Sequence, residues 1–264
     1  TLGGNDVIDA RGGDDTINAG DGNNTVRTGA GVNSVTTGSG RDIIYAEGAT
    51  DTVTSGLGDD VVNARTNGKL VFTGGDGSDL VIADGTFDAS SGAAFDSLNF
   101  GANFDVLIVN AGTTNAQYAQ VSNLESVALL TAGATTTLGT TAQAAGINTI
   151  FLGSGTAGND SVNASAFTTG LTVQAASSDA ATTDAALATT AGLQARFATY
   201  TAGGGDDTVS TGSGTDFFLF RGDNALTSAD ALDANGNGAV VGIAGDTLVL
   251  NGDTTLTGAG PNGF

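Results

Sequence analysis

Three nine-residue units follow one another without a gap: Ala19-Gly20-Asp21-Gly22-Asn23-Asn24-Thr25-Val26-Arg27, then Thr28-Gly29-Ala30-Gly31-Val32-Asn33-Ser34-Val35-Thr36, then Thr37-Gly38-Ser39-Gly40-Arg41-Asp42-Ile43-Ile44-Tyr45. Extended both ways, slot six reads Asp6, Asp15, Asn24, Asn33, Asp42, Asp51 and Asp60, and slot eight reads Ile8, Ile17, Val26, Val35, Ile44, Val53 and Val62. A β-branched residue in every slot eight is a periodicity that composition alone does not produce. Slot four is usually glycine, at Gly4, Gly13, Gly22, Gly31, Gly40 and Gly58, and slot two is often glycine, at Gly20, Gly29, Gly38 and Gly56. Each unit therefore reads as a six-residue turn followed by a three-residue strand whose middle side chain points inward. One such unit buries almost nothing, but stacked copies pair their strands and bury a continuous Ile/Val ladder. That is the logic of a parallel β-solenoid.

Gly56-Leu57-Gly58-Asp59-Asp60-Val61-Val62 and Gly75-Asp76-Gly77-Ser78-Asp79-Leu80-Val81 resemble the G-G-x-G-x-D-x-U-x repeat of secreted RTX proteins. The resemblance is strong over residues 1–85 and returns briefly at 202–220. It implies an all-β fold, a right-handed parallel β-roll with several calcium ions between successive turns. Two nonapeptides would then complete one circuit, so that turns 18 residues apart stack. One edge carries Asp6, Asn24, Asp42 and Asp60, always with glycine in slot four, and resumes at Asp79 after a one-residue insertion. The other carries Asp15, Asn33, Asp51 and then Lys69, with Arg11, Glu47 and Arg65 in the glycine slot. The first is the better calcium edge. The second is expected to stop at Lys69, beside the turn signal Asn67-Gly68. Asn24 and Asn33 offer a neutral oxygen and are expected to be weaker sites.

The expected calcium ligands are Asp6, Asp15, Asn24, Asn33, Asp42, Asp51, Asp60 and Asp79, with the glycine turns at Gly22, Gly40, Gly58 and Gly77. A plainer role for an aspartate in a glycine-rich loop is an Asx turn. Stacking carboxylates about 5 Å apart is repulsive without a cation, however, and that favours ligation. Magnesium suits such a site less well than calcium, because it keeps its waters and demands octahedral geometry.

Beyond residue 86 the nonapeptide disappears. Apolar runs at Phe104 to Val109, Val127 to Leu130, Ile147 to Leu152 and Leu171 to Val173 predict further strands, continuing the solenoid with longer, cation-free turns. Residues 184–200, rich in alanine, suggest one helix. A second short repeat block carries Asp207 and Asp216, and Asp160 stands alone in Gly158-Asn159-Asp160-Ser161-Val162; all three are further expected calcium ligands. Asp233, Asn235 and Asn237 resemble the start of an EF-hand-type loop, although the twelfth position is Ala244. Thr247 to Leu256 reads as a closing hairpin. The expected divisions are thus 1–85, 86–200 and 201–264.

Composition excludes several functions. The 264 residues include no Cys and no His, so thiolate and imidazole sites and the usual nucleophilic triads are absent. A net charge of -21 disfavours nucleic acid and anionic lipid as partners, and no apolar run is long enough to span a membrane. Thr1 in the first position suggests a fragment or a trimmed chain. The adjacent acids Asp14-Asp15, Asp59-Asp60 and Asp206-Asp207 recur within the repeat and point to opposite sides of an extended backbone, so no enzyme is expected. Resemblance to RTX proteins implies export and folding outside the cell. The Ala/Thr/Ser/Gly-rich segments with a single lysine look most like bacterial surface-layer proteins. The expected partners are other copies of the chain in a lattice or filament, with cell-surface polysaccharide as a further candidate. The alternative is the calcium-binding secretion and folding tail of a larger RTX protease, lipase, toxin or adhesin.

Overall fold

The structure is a computed structural model that describes residues 3–64, 68–83, 87, 96–129, 135–152, 161–164 and 166, together with strands at 172–175, 208–210, 217–221, 231–233 and 247–251. The readings for Asp160, Asp207, Asp216, Asn235, Asn237, the helix at 184–200 and the return strand of the closing hairpin lie outside these residues. Two compact units are present.

The first unit takes in the chain to Asn110 and Ala116–Ser126. Its strands alternate between two sheets. β1 (Val7–Asp9), β3 (Thr25–Arg27), β5 (Ile43–Ala46), β7 (Val61–Ala64), β9 (Leu80–Ala83) and β11 (Val106–Val109) stack in that order, each parallel to the next. β2 (Thr16–Gly20), β4 (Val32–Thr37), β6 (Thr50–Leu57), β8 (Lys69–Asp76), β10 (Ser97–Ala102) and β12 (Val121–Ser122) form the facing sheet, again all parallel. One circuit thus uses two nonapeptides, and the fold is a parallel β-solenoid.

The registers show why the slots hold these residues. Val26 pairs with Ile44, and Ile44 with Val62, on one sheet; Val35 pairs with Val53, and Val53 with Phe72, on the other. All six are at most 1 % exposed and fill the interior as two facing ladders. Successive side chains on a strand alternate faces, so slots seven and nine point outward. In β1 that outer face is open, with Val7 85 % exposed. From β7 onward it is covered: Val61, Leu80 and Val106 are buried on it. The continuous apolar runs of β9 and β11 follow from this, because a strand covered on both faces needs no alternation.

The strand column that carries Lys69 does not stop there. Lys69 pairs with Thr50, and Asp51 pairs with Leu70, so the extra residue has already entered before β8 and slot six is filled by Leu70. Strands β8, β10 and β12 then continue the sheet, with Phe72 and Leu98 buried in the ladder. A carboxylate is missing at Leu70 but returns one circuit later, where Asp96 stands opposite Leu70 just before β10 and its Oδ1 accepts the Leu70 N–H at 2.8 Å.

The second unit includes Ala111–Asn115 and the chain beyond Val127. Its strands again alternate between two parallel sheets. β13 (Ser126–Leu129), β15 (Thr149–Leu152), β17 (Thr172–Ala175), β19 (Phe217–Arg221) and β21 (Thr247–Asn251) follow one another in one sheet. β14 (Thr135–Thr137), β16 (Ser161–Asn163), β18 (Thr208–Ser210) and β20 (Ala231–Asp233) form the other. The four apolar runs expected as strands are β11, β13, β15 and β17. β21 pairs parallel with β19, with Leu248 opposite Phe218.

Helix is scarce among the described residues: a 3-10 turn at Asn115–Tyr118 and one short helix, α1 (Thr140–Ala144). No helix there is long and apolar enough to cross a membrane. The α1 start lacks a local cap and borrows a remote one. Asn115 Oδ1 accepts the amides of Gly139 at 2.9 Å and Ala142 at 3.0 Å, satisfying donors that the first helical turn leaves free.

A carboxylate ladder as candidate metal edge

Slot six stands at the inner edge of each turn, immediately before its strand. There, along one edge, Asn24, Asp42, Asp60 and Asp79 are each at most 1 % exposed, and Asp6 at the open end is half-buried. Each side chain leans back toward the preceding circuit. Asn24 Oδ1 accepts the backbone N–H of Asp6 at 3.0 Å, Asp42 Oδ1 that of Asn24 at 2.7 Å, Asp60 Oδ1 that of Asp42 at 2.8 Å, and Asp79 Oδ1 that of Asp60 at 3.0 Å. This is the turn-forming role of an aspartate, and it occupies one carboxylate oxygen. The other, Oδ2, is buried without a hydrogen-bond partner at Asp6, Asp42, Asp60 and Asp79. A buried unpaired carboxylate oxygen is strongly unfavourable, and repetition along one edge multiplies that cost.

Slot five does the reverse. Asn5 Oδ1 accepts the N–H of Asn23, Asn23 Oδ1 that of Arg41, and Asp59 Oδ1 that of Ser78, all at 2.8 Å, so these side chains bond the following circuit. Asp59 and Asp60 thus hold opposite neighbours. In slot four the glycines run at positive φ, +117 at Gly22, +121 at Gly40, +118 at Gly58 and +144 at Gly77. A Cβ on Gly58 would also stand 2.0 Å from the carbonyl oxygen of Gly40 in the circuit before. Both backbone twist and stacking distance demand glycine there.

Burial drives the carboxyls of Asp60 and Asp79 up, to about 6 and about 8, with the neighbouring carboxylates of the column adding to the rise. The site wants positive charge. Among the described residues no three acidic side chains converge, so a cation here would be held by at most two carboxylates together with backbone carbonyls. Such an all-oxygen set suits calcium, and Asp42, Asp60 and Asp79 fit it through their free Oδ2 atoms. Calcium would supply the counter-charge that these buried oxygens lack.

At the two asparagine turns the slot-six amide is already engaged within the protein. Asn24 Nδ2 donates to the carbonyls of Gly20 and Gly22, each at 3.0 Å, and so fills the place that an ion would take beside a slot-six carboxylate. On the second edge, Asn33 Oδ1 accepts the N–H of Asp15 at 3.1 Å, while its Nδ2 donates to Asp51 Oδ1 at 2.8 Å and to Gly29 O at 3.3 Å. Asp51 Oδ2 in turn accepts the N–H of Gly48 at 2.8 Å, so both its oxygens are satisfied within the protein. Of the carboxylates expected on this edge only Asp15 retains a free buried Oδ2. Asp233 ends β20 opposite Ser210.

Sequence reasoning passed over Asp105. It lies just before β11, as Asp79 lies before β9, it is fully buried, and its Oδ1 accepts the N–H of Asp79 at 2.6 Å. The signal was present as Gly101, Asp105 and Leu107 in slots two, six and eight, but Asn103 replaces the slot-four glycine and the spacing from Asp79 is 26 instead of 18.

No curated protein and no solved structure matches the chain. The family model for the RTX calcium-binding nonapeptide repeat matches residues 1–26, 27–62 and 199–224. The first two stretches build the ladder just described, with glycine at the turn, a slot-six oxygen at the edge and a β-branched residue in the core. The chain carries RTX calcium-binding nonapeptide repeats.

Proposed function

We propose that the chain is a non-enzymatic, calcium-stabilised structural module of a bacterial cell-surface protein, and that its copies assemble into a surface-layer lattice. The row of buried, unpaired Oδ2 atoms at Asp42, Asp60 and Asp79 carries the calcium part of this reading. At a net charge of -21 the calcium-free chain repels itself. It would leave the cell unfolded and fold where calcium is plentiful, since an ion bound only by the folded form stabilises that form by mass action. The lattice part rests on the Ala/Thr/Ser/Gly-rich composition and on the regular flat faces of a solenoid, which suit repeated contacts between identical copies. Imaging the protein with and without calcium tests it. Ordered sheets or filaments in calcium are expected; monomers would instead support a secretion and folding tail of a larger RTX protein.

A further inference from the structure

The carboxylate column continues beyond the matched repeats. Val106 pairs with Leu80 and Leu107 with Val81, which brings residues 100–105 over residues 74–79 as a turn of the same kind. Gly101 stands opposite Gly75 with a φ of +106, and Asn103 occupies slot four with a φ of 88, the left-handed conformation that Gly58 and Gly77 adopt in the circuits before. An asparagine tolerates that region better than most residues. Asp105 and Asp79 are buried, and the Oδ2 of each lacks a partner.

The point where a Cβ on Gly74 would stand lies 2.1 Å from Asp79 Oδ2 and 2.1 Å from the carbonyl oxygen of Phe100. A free carboxylate oxygen from one circuit and a backbone carbonyl from the next therefore face one small space that a glycine keeps open. Neither Asp79 nor Asp105 forms an ion pair among the described residues. Asp105, bonded through Oδ1 to the Asp79 N–H, adds a second buried carboxyl beside Asp79, and two such acids with a carbonyl are an all-oxygen donor set suited to a hard divalent cation.

We propose that residues 74–79 and 100–105 bind a calcium ion of their own, through Asp79, Asp105 and the Phe100 carbonyl, at a turn outside the matched repeats. This rests on the reading of the repeat edge as calcium-binding. It replaces the expectation of cation-free turns beyond residue 86 and extends calcium-dependent folding into the segment that follows the repeats. Glu125 Oε2 accepts the N–H of Asp105 at 2.9 Å and provides the next acidic residue of the column.

Equilibrium dialysis against calcium chloride, with circular dichroism to verify folding, tests the site on the full chain and on the variants Asp105→Asn and Asp42→Asn. Each variant keeps an Oδ1 for its backbone bond and offers an amide where the free oxygen was, as Asn24 does. The expected result is the loss of one ion in each. Loss in Asp42→Asn with no change in Asp105→Asn would overturn the proposal and leave the repeat edge standing. No loss in either would remove the calcium reading of the repeats and the proposal with it. Should Asp105→Asn fail to fold, wild-type crystals grown in calcium chloride decide through anomalous scattering. A peak between Asp79 and Asp105 is expected, and its absence would overturn the site.

Discussion

A single atom separates Asn24 from Asp42. Both accept a backbone N–H through Oδ1, but Asn24 presents an amide to the Gly20 and Gly22 carbonyls where Asp42 presents a buried, unpaired oxygen. The amide does with two hydrogen bonds what a cation does with charge, so exchanging the two residue types should exchange calcium dependence. In chelator, Asp42→Asn should be more stable than the wild type by about 1–3 kcal/mol, the usual cost of a buried unsatisfied group. Asn24→Asp should be less stable in chelator and should recover on adding calcium. Thermal melts of both variants with and without calcium check this, and unchanged melts in chelator would show that the slot-six oxygens are not under strain. Arg11 offers a second test, independent of metal. It holds a φ of 72 in slot two, where Gly20 and Gly29 take 78 and 70. Left-handed backbone costs a residue with a Cβ about 1–2 kcal/mol, and the greater freedom of glycine in the unfolded chain returns part of that. Arg11→Gly should therefore stabilise the fold by about 0.5–1 kcal/mol in a denaturant titration, with or without calcium.

At the scale of the turn and its strand, the carboxylates act as a column. Burial raises Asp60 to about 6, Asp79 to about 8 and Asp105 to about 7, all above the ordinary carboxylate value of 3.8. A carboxyl whose folded pKa is raised holds its proton more tightly in the fold than in the unfolded chain. Its contribution is complete below about pH 4 and is lost as the pH rises through the folded values. In chelator the melting temperature should thus be highest near pH 4 and fall toward pH 8. In calcium the loss at high pH should vanish, because the ion takes the ionised form. A metal-free melting temperature that climbs between pH 5 and 8 would contradict the burial of this column. How much of the column the sequence discloses depends on what repeats. Slot eight must be apolar in every circuit, so the ladder through Val26, Ile44 and Val62 is legible from spacing alone. The one-residue insertion is legible between Asp60 and Asp79, but its position is not, which is why Lys69 takes the place of Leu70 in a strict count. Asp105 is hidden for a related reason: the chain between it and Asp79 is longer, and only pairing in space restores the register. The amide bonds of Asn24 and Asn33 are invisible in one dimension, because a neutral oxygen and a pair of amide donors are written with the same letter.

For the whole molecule, folding and assembly should call on calcium in two separable ranges. The slot-six oxygens are buried and positioned by backbone bonds, so their sites are completed as the circuits stack. Extracellular calcium modules bind at about 10⁻⁴ to 10⁻³ M, and folding should occur in that range. The other acids behave differently. Asp21, for example, is held ionised below the usual carboxylate range by the backbone and hydroxyl of Ser39, and its turn is exposed. Charges of this kind keep the surface negative after the interior sites are filled. Two copies approaching one another then meet like-charged faces, and contact requires a divalent ion to bridge them or salt to screen them. Assembly should accordingly need more calcium than folding, and monovalent salt should substitute poorly, since screening lowers repulsion without linking carboxylates. Light scattering recorded beside circular dichroism across one calcium titration separates the two events. The expected curves are a β-signal that saturates first and scattering that rises later. If the protein is fully folded yet still monomeric at millimolar calcium and high protein concentration, the surface-lattice reading fails, and the module is better understood as the calcium-folded tail of a larger secreted chain.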